Sequence, residues 1–101
     1  MRRGTAVLAV VIVVALVALS NQSRSRRGTL PDLRGLTLSH AQDRARAEGF
    51  HRVESQDATH EDRIPFLADN WKVCSQLPGP GTHIVTTLVA VTVVRSGEPC
   101  P

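Results

Sequence analysis

Residues 37–50, TLSHAQDRARAEGF, carry the clearest structural signal in the chain. Thr37 is a residue type that caps the N-terminus of a helix, and Gly49 stands where the backbone after a helix turns left-handed. Phe50, one residue further on, can fold back on Ala45 in the hydrophobic contact that accompanies such an ending. The positions between them that fall at helical spacing are Leu38, Ala41, Ala45 and Glu48. The stretch therefore predicts a helix whose inward side chains are mostly alanines, so that it can pack closely on a sheet.

Three strands are predicted after this helix. Residues 51–56 form the first, with Val53 turned inward, and residues 71–77 form the second. Alternation in the second strand places on one face Trp71, Val73, Ser75 and Leu77. Residues 88–94 form the third, with a buried face of Val89, Val91 and Val93. The predicted fold class is α+β: one helix packed on a small three-stranded, mainly antiparallel sheet, preceded by an N-terminal hydrophobic helix.

Turns and loops separate these elements. Residues 30–36 fit a short edge segment that turns at Gly35, because Pro31 has no N–H to donate to a strand ladder. Residues 57–70 are rich in acidic side chains and interrupted by Pro65, so we expect a long loop with one helical turn around residues 66–69. Residues 78–81, Pro-Gly-Pro-Gly, are strong turn sequence.

The N-terminal segment concerns cellular location. Residues 1–20 combine two early arginines with 14 uninterrupted apolar residues, Ala6 to Leu19. As a helix this run rises about 21 Å, which is short of the ~30 Å hydrocarbon core of a bilayer. We expect residues 1–20 to be either a signal peptide cleaved after Ser20 or a single-pass membrane anchor over residues 5–20. A topology that leaves the domain in the cytoplasm stays open, and residues 21–29 are expected to be a basic disordered linker.

Charge and size argue against several classes of protein. The chain is formally +3, but five of its twelve basic residues lie before residue 30. From Leu30 onward the chain has seven basic and nine acidic side chains. We therefore expect no nucleic-acid partner, because the basic surface that such binding requires is missing from the folded part. At 101 residues, a large enzyme or a multi-span membrane protein is not expected either.

The two cysteines, Cys74 and Cys100, form an even pair in a short chain with an export leader, which favours a disulfide. In the chain-entropy description such a bridge contributes roughly 3 kcal/mol, a large share for a domain with a thin apolar core. The alternative is two unrelated thiols, with Cys74 packed as a small hydrophobic residue and Cys100 at a frayed terminus. Residues 98–101 are expected to be a tail that carries Cys100.

The sequence gives little support for catalysis. It contains no phosphate-binding glycine loop, and its single lysine, Lys72, excludes the serine–lysine nucleophile motifs. We therefore expect no enzyme and no cofactor. The best candidates for a metal site share the long loop: Asp57, His60, Glu61 and Asp62. Their spacing matches no established cation-binding loop, so a solvated acidic loop is the preferred interpretation.

Two further candidates concern ligand binding. Trp71 offers a flat apolar ring on which a sugar can stack, although its place at the head of a strand favours a core position. Three arginines, Arg34, Arg52 and Arg63, offer guanidinium groups that can bind the carboxylates of a peptide. Scattered arginines on a mildly acidic domain are more often a solvated surface, and both interpretations stay open here.

Two groups of residues resemble a known family. Pro31-Asp-Leu-x-Gly35-Leu, followed by Thr37-Leu-Ser-x-Ala41 and by Gly49-Phe50, is similar to the first half of a PASTA domain. Val73-x-x-Gln76-x-Pro78-x-x-Gly81-Thr82, followed by residues 88–97, resembles the second half. These are the penicillin-binding-protein and serine/threonine-kinase-associated modules of bacterial cell envelopes. The resemblance covers residues 30–97, in the right order, and departs from the family pattern in the long loop, in Trp71 and in the cysteine pair.

The resemblance implies a helix on a three-stranded sheet, displayed outside the cytoplasm and without a catalytic role. It implies binding of peptidoglycan fragments (muropeptides) or β-lactam-like ligands, but it carries over no binding residue, because ligand contacts in the family follow no fixed motif. We therefore expect an extracytoplasmic binding module that is secreted or anchored by residues 5–20. The alternative is a membrane-anchored accessory subunit whose partner is another envelope protein.

Overall fold

The computed structural model describes residues 9–15 and 26–101. Residues 9–15 are helical. Within these two ranges, no helix is both long enough and apolar enough to cross a bilayer. The rest of the predicted leader, with the cleavage site after Ser20, lies outside the described residues, as do residues 21–25 of the predicted linker.

Helix α1, Leu38–Ala47, lies where the sequence predicts it. Thr37 caps its start, because the Thr37 Oγ1 accepts a hydrogen bond from the backbone N–H of His40 at 3.1 Å. After its end Gly49 has a φ of 97°, and the N–H of Phe50 donates to the carbonyl of Ala45 at 2.9 Å. The face that α1 buries consists of Leu38, Ala41 and Ala45.

Within residues 26–101, five strands form two sheets: β1 Arg27–Leu30, β2 Val53–Asp57, β3 Trp71–Leu77, β4 Gly81–Ile84 and β5 Val89–Arg95. The larger sheet has the order β2-β5-β3, and β1 and β4 form a separate antiparallel pair. The three predicted strands are confirmed as β2, β3 and β5, with ends that shift by at most two residues. The long connection before β3 is confirmed too, and its helical turn is a 3-10 helix at Ala68–Asn70.

The predicted antiparallel arrangement is wrong for one of the two strand pairs in the larger sheet. Strands β3 and β5 are antiparallel, but β2 is parallel to β5, with Val53 opposite Val89 and Asp57 opposite Val93. Alternation of side chains does not reveal strand direction. The arrangement arises because β5 enters the sheet between β2 and β3 instead of pairing with its predecessor through a hairpin.

Strands β1 and β4 were not predicted. Arg27 lies opposite Ile84 and Leu30 opposite Gly81. Residues 27–29 therefore belong to a strand, and their assignment to a disordered linker is wrong. Each of these strands is four residues long and has no apolar alternation of its own, so only their mutual pairing defines them.

A β-bulge changes which side chains of β3 share a face. Trp71 and Val73 are buried as predicted, but the register shifts between Val73 and Ser75. Because the bulge inserts one residue, Ser75 and Leu77 turn to the opposite face of the sheet. Leu77 is accordingly 73% exposed, and the prediction that it shares the face of Trp71 is wrong.

The core lies between α1 and the larger sheet. Its largest fully buried side chains are those of Phe50, Leu30, Leu33, Leu38, Val73, Val89, Val91 and Val93. The predicted edge segment lies along the outer edge of β3, where the N–H of Gly35 donates to the carbonyl of Val73 and the N–H of Val73 donates to the carbonyl of Leu36, both at 2.9 Å. Gly35 turns with a φ of 83°, as expected. This segment covers one edge of the sheet.

Candidate functional site

The loop between β2 and β3 is organised around the carboxylate of Asp57, whose side chain is 1% exposed. Its Oδ1 accepts hydrogen bonds from the backbone N–H of Thr59 at 3.0 Å and from the Thr59 hydroxyl at 2.8 Å. Its Oδ2 accepts one from the backbone N–H of Arg63 at 3.2 Å. The chain from residue 58 to residue 63 therefore wraps around a single buried carboxylate.

The guanidinium of Arg63 completes an ion cluster. Its Nε donates to Oδ2 of Asp57 at 2.7 Å and its Nη2 to Oδ1 at 3.0 Å, a two-pronged contact. Its Nη1 donates to Oε1 of Glu98 at 2.8 Å. Hydrogen bonding to Arg63 holds the pKa of the Asp57 and Glu98 carboxyls below their usual values. The same bonds, the one to Asp57 first, raise the pKa of Arg63, so all three groups stay charged at neutral pH.

Trp71 forms the floor beneath this cluster. It is 5% exposed, which confirms the core position that the strand pattern favours. The Cζ atom of Arg63 lies 5.0 Å from the centroid of its ring, and that of Arg95 lies 5.9 Å away. Both distances suit cation–π attraction. Trp71 is therefore a ring packed against two arginines rather than an open platform.

The C-terminal tail contributes to the same cluster. Cys74 and Cys100 form a disulfide with a Cα–Cα distance of 5.6 Å, which confirms the predicted bridge and fits an oxidising compartment. Glu98 is held as well by the backbone N–H of Arg95, which donates to its Oε1 at 2.8 Å, and by Nζ of Lys72, which donates to its carbonyl at 3.1 Å. The tail is thus fixed to β3 and β5, and this position brings Glu98 to Arg63.

Beyond the cluster, the loop presents apolar side chains to solvent. Ile64 is 80% exposed, Phe66 82% and Leu67 61%. They line a groove of about 330 Å³ together with Asn70, Trp71 and Arg95. We call Ile64, Phe66, Leu67, Trp71 and Arg95 the tip surface.

Arg95 gives the tip surface its charge. Its side chain is exposed, and the ion pairs within residues 26–101 do not include its guanidinium. Exposed aliphatic and aromatic groups beside an unpaired guanidinium suit a ligand that has an apolar face and an anionic group. Nothing in this arrangement supplies a nucleophile with its base.

The residues considered for a metal site are not assembled into one. Asp57 is engaged by Arg63, whereas His60, Glu61 and Asp62 are exposed. Within residues 9–15 and 26–101, no group of three or more His, Cys, Asp or Glu side chains is placed to hold a metal ion. The buried carboxylate that a cation would need is therefore already neutralised by a guanidinium.

The three arginines considered for a carboxylate clamp have different partners. Arg63 belongs to the ion cluster, whereas Arg34 forms an exposed pair with Asp32, with Nε and Oδ1 2.9 Å apart. The Nη1 of Arg52 donates to the carbonyl of Thr86 at 3.3 Å. Neither Arg95 nor the apolar run of residues 64–67 is predicted as a site from the sequence. The signal for the run was present, because Ile-Pro-Phe-Leu interrupts an otherwise acidic loop.

Comparison with known proteins agrees with this fold. The PASTA domain family matches residues 28–96, a span that includes α1, β2 to β5 and all but the first residue of β1. No curated protein matches the chain significantly, and no solved structure does. The family match covers well over half of the 101 residues and starts within β1, at the second residue of that strand. The chain belongs to the PASTA domain family.

Proposed function

We propose that this protein is an extracytoplasmic, non-catalytic binding module that contacts peptidoglycan fragments through its tip surface. Family membership supports the general class, since PASTA domains are non-catalytic modules associated with binding of peptidoglycan or β-lactams outside the bacterial cytoplasm. The disulfide supports the oxidising location. The proposal adds the ligand, the surface and its residues.

The chemistry of the tip surface is the main support for muropeptide binding. A muropeptide combines sugar rings, which have apolar faces, with a peptide that ends in carboxylates. Phe66 and Ile64 offer exposed apolar area on which the sugar rings can pack. The guanidinium of Arg95 offers two parallel hydrogen-bond donors for a carboxylate of the peptide. A groove of about 330 Å³ has the size of a small-ligand site.

The position of the tip surface supports display toward a cell wall. The described domain begins at Arg26, and Arg27 pairs with Ile84, close to the start of β5, whereas Arg95 lies at the end of β5. A seven-residue strand spans roughly 20 Å. A membrane anchor N-terminal to Arg27 would therefore attach the domain at the end opposite the tip surface. Such an anchor, over residues 5–20, is part of the proposal.

Co-sedimentation with purified peptidoglycan sacculi tests this function. We expect the wild-type protein to sediment with sacculi, and the variants Phe66→Ser and Arg95→Gln to bind about tenfold more weakly, as for residues central to a small interface. Leu77→Ser is the matched control, because Leu77 is 73% exposed but lies away from the tip surface. Equal binding by all four proteins, or no binding by the wild type, would remove the tip surface as a wall-binding site.

The alternative, an accessory subunit of another envelope protein, gives a different result in the same variants. Crosslinking in intact cells would then trap one discrete heteromer with the wild type and with Leu77→Ser. Phe66→Ser would lose that heteromer, while sacculi would bind none of the proteins. The two functions are therefore distinguished by the interaction that Phe66→Ser weakens, which is sacculus binding in the first case and the crosslinked heteromer in the second.

A further inference from the structure

In the part of the chain that the structure describes, strand β2 has one edge without a partner strand. In its parallel ladder with β5, the N–H of Val89 donates to the carbonyl of Arg52 and the N–H of Ala58 to the carbonyl of Val93, both at 2.8 Å. Backbone groups of the even-numbered residues therefore point to β5. The N–H and C=O groups of Val53 and Ser55 point the other way, where no backbone group among residues 26–101 binds them.

This edge is also open to solvent. It forms one wall of a groove of about 560 Å³, where Ser55 and Asp57 face His60, Asp62 and Ile64 of the loop. The opposite edge of the sheet differs, because residues 33–37 cover β3. Unpaired edges of this kind accept an added strand, and natural proteins usually block them.

Opposite charges lie at the two ends of the edge. Arg52 precedes β2, is exposed and forms no ion pair within residues 26–101. Asp62 lies beside the last residue of β2, because the carboxylate of Asp57 binds the backbone N–H groups of both Thr59 and Arg63. Asp62 is likewise exposed and without an ion pair in the described part of the chain.

A strand that is positive at one end and negative at the other complements itself when a second copy runs antiparallel. We propose that two copies of this domain pair through β2, about a two-fold axis at Ser55, with Arg52 of each copy against Asp62 of the other. In this register Glu54 lies opposite Gln56, so no like charges are directly opposite each other. The two three-stranded sheets then form one continuous sheet of six strands.

The size of the interface sets its strength. Strand β2 has five residues, so the contact is smaller than the roughly 800 Å² per partner of a stable complex. The dimer is therefore weak and concentration-dependent. Any tether that holds two copies on one surface increases the fraction of dimer, because tethering raises the effective concentration of the copies. Arg52 and Asp62 lie outside the tip surface, although Ile64 lines both grooves. The exchange of the Ser55 amide is measured without muropeptide, so the pairing can fail while the proposed function holds.

Hydrogen exchange of the full chain in detergent micelles, resolved by residue, tests the pairing. The amide of Ser55 is expected to exchange at least about tenfold more slowly at high than at low protein concentration, because it gains a hydrogen bond only in the dimer. The amides of Glu54 and Gln56, which point to β5, are expected to be protected at both concentrations. Protection of the core strand residue Val91 reports that each variant is folded.

Charge exchange makes the test specific. Arg52→Asp and Asp62→Arg are each expected to abolish the concentration-dependent protection of Ser55, and the double variant to restore it. Arg44→Asp, at an exposed arginine of α1, is the control and should leave the protection unchanged. Exchange of Ser55 that is independent of concentration would overturn the proposal. The proposal would also fail if the Ser55 amide of the double variant were as unprotected as that of the single variants. It would fail as well if an unrelated basic peptide protected this amide while a second copy of the domain did not.

Discussion

The Nε of Arg63 donates to Oδ2 of Asp57 at 2.7 Å and thereby joins the middle of the β2–β3 loop to the last residue of β2. The tip surface begins at the next residue, Ile64. The exposed residues 64–67 are therefore positioned by a charged cluster beneath them, because the apolar side chains themselves have few neighbours to pack against. We therefore expect ligand binding at the tip surface to depend on the geometry of this cluster.

Replacing Arg63 with lysine tests that dependence. A lysine ammonium keeps the charge, but it lacks the planar set of donors with which the guanidinium binds both carboxylate oxygens of Asp57 and one of Glu98. We expect exchange of the backbone amides at positions 59 and 63 to accelerate about tenfold, with the core strands unchanged, and sacculus binding to fall. Arg34→Lys is the control, since its pair with Asp32 is exposed and contributes little. Wild-type exchange rates in Arg63→Lys would show that the cluster does not order the loop.

Acid should destabilise the protein through the same cluster. The pKa of Asp57 and that of Glu98 are lowered in the folded state, chiefly by hydrogen bonding to Arg63. Their stabilising contribution is therefore complete above the unfolded-state pKa of about 4 and is lost as the pH falls toward the lower folded-state values. Urea unfolding should give a constant free energy from about pH 7 to 5 and a decline below about pH 4. Asp57→Asn should show a shallower decline, and parallel profiles for the two proteins would contradict this assignment.

The disulfide should contribute to both stability and site geometry. Replacing Cys74 and Cys100 together by serine is expected to lower the free energy of unfolding by about 2–4 kcal/mol, as for loops of this length. Because the bridge holds the tail that carries Glu98, exchange at Arg63 should rise as well. Urea unfolding of the oxidised wild type against the double variant measures the first effect. Identical unfolding curves would show that the tail is held by other contacts.

Gly28 tests whether β1 belongs to the fold. A Cβ atom added there would lie 2.5 Å from the carbonyl oxygen of Glu48 and 3.1 Å from Cγ1 of Val85. Gly28→Ala is therefore expected to cost about 1–3 kcal/mol of unfolding free energy through overpacking. Gly97→Ala is the control, because nothing lies within 4 Å of the added atom. If both variants unfold like the wild type, residues 27–29 do not pack as described.

The sequence predicts the parts of the fold that have their own local signals. Helix α1 has a capping threonine and a terminating glycine, and β5 has a clean alternation of valines, so both were located to within a residue or so. Strands β1 and β4 lack such signals, because each is short and is defined only by the other. The parallel direction of β2 and the bulge in β3 depend on how distant strands meet, which alternation alone does not encode.

The candidate site was less predictable than the fold. The sequence singles out Asp57, Arg63 and Trp71 separately: the first as a candidate metal ligand, the second as a candidate carboxylate clamp, and the third as either a sugar platform or, preferably, a core ring. The structure places them together in one buried cluster that satisfies its own charges. Arg95 was not considered, because as the last residue of β5 it becomes relevant only when the loop folds over the end of the strand.

Binding of muropeptides at the tip surface is tested by titrating the isotope-labelled protein with purified muropeptides and following the amide chemical shift of every residue. We expect saturable shifts concentrated at residues 64–67, Trp71 and Arg95, with β4 unchanged, and their loss in Phe66→Ser but not in Leu77→Ser. Shifts confined to another face, or no shifts at millimolar muropeptide, would contradict binding at the tip surface.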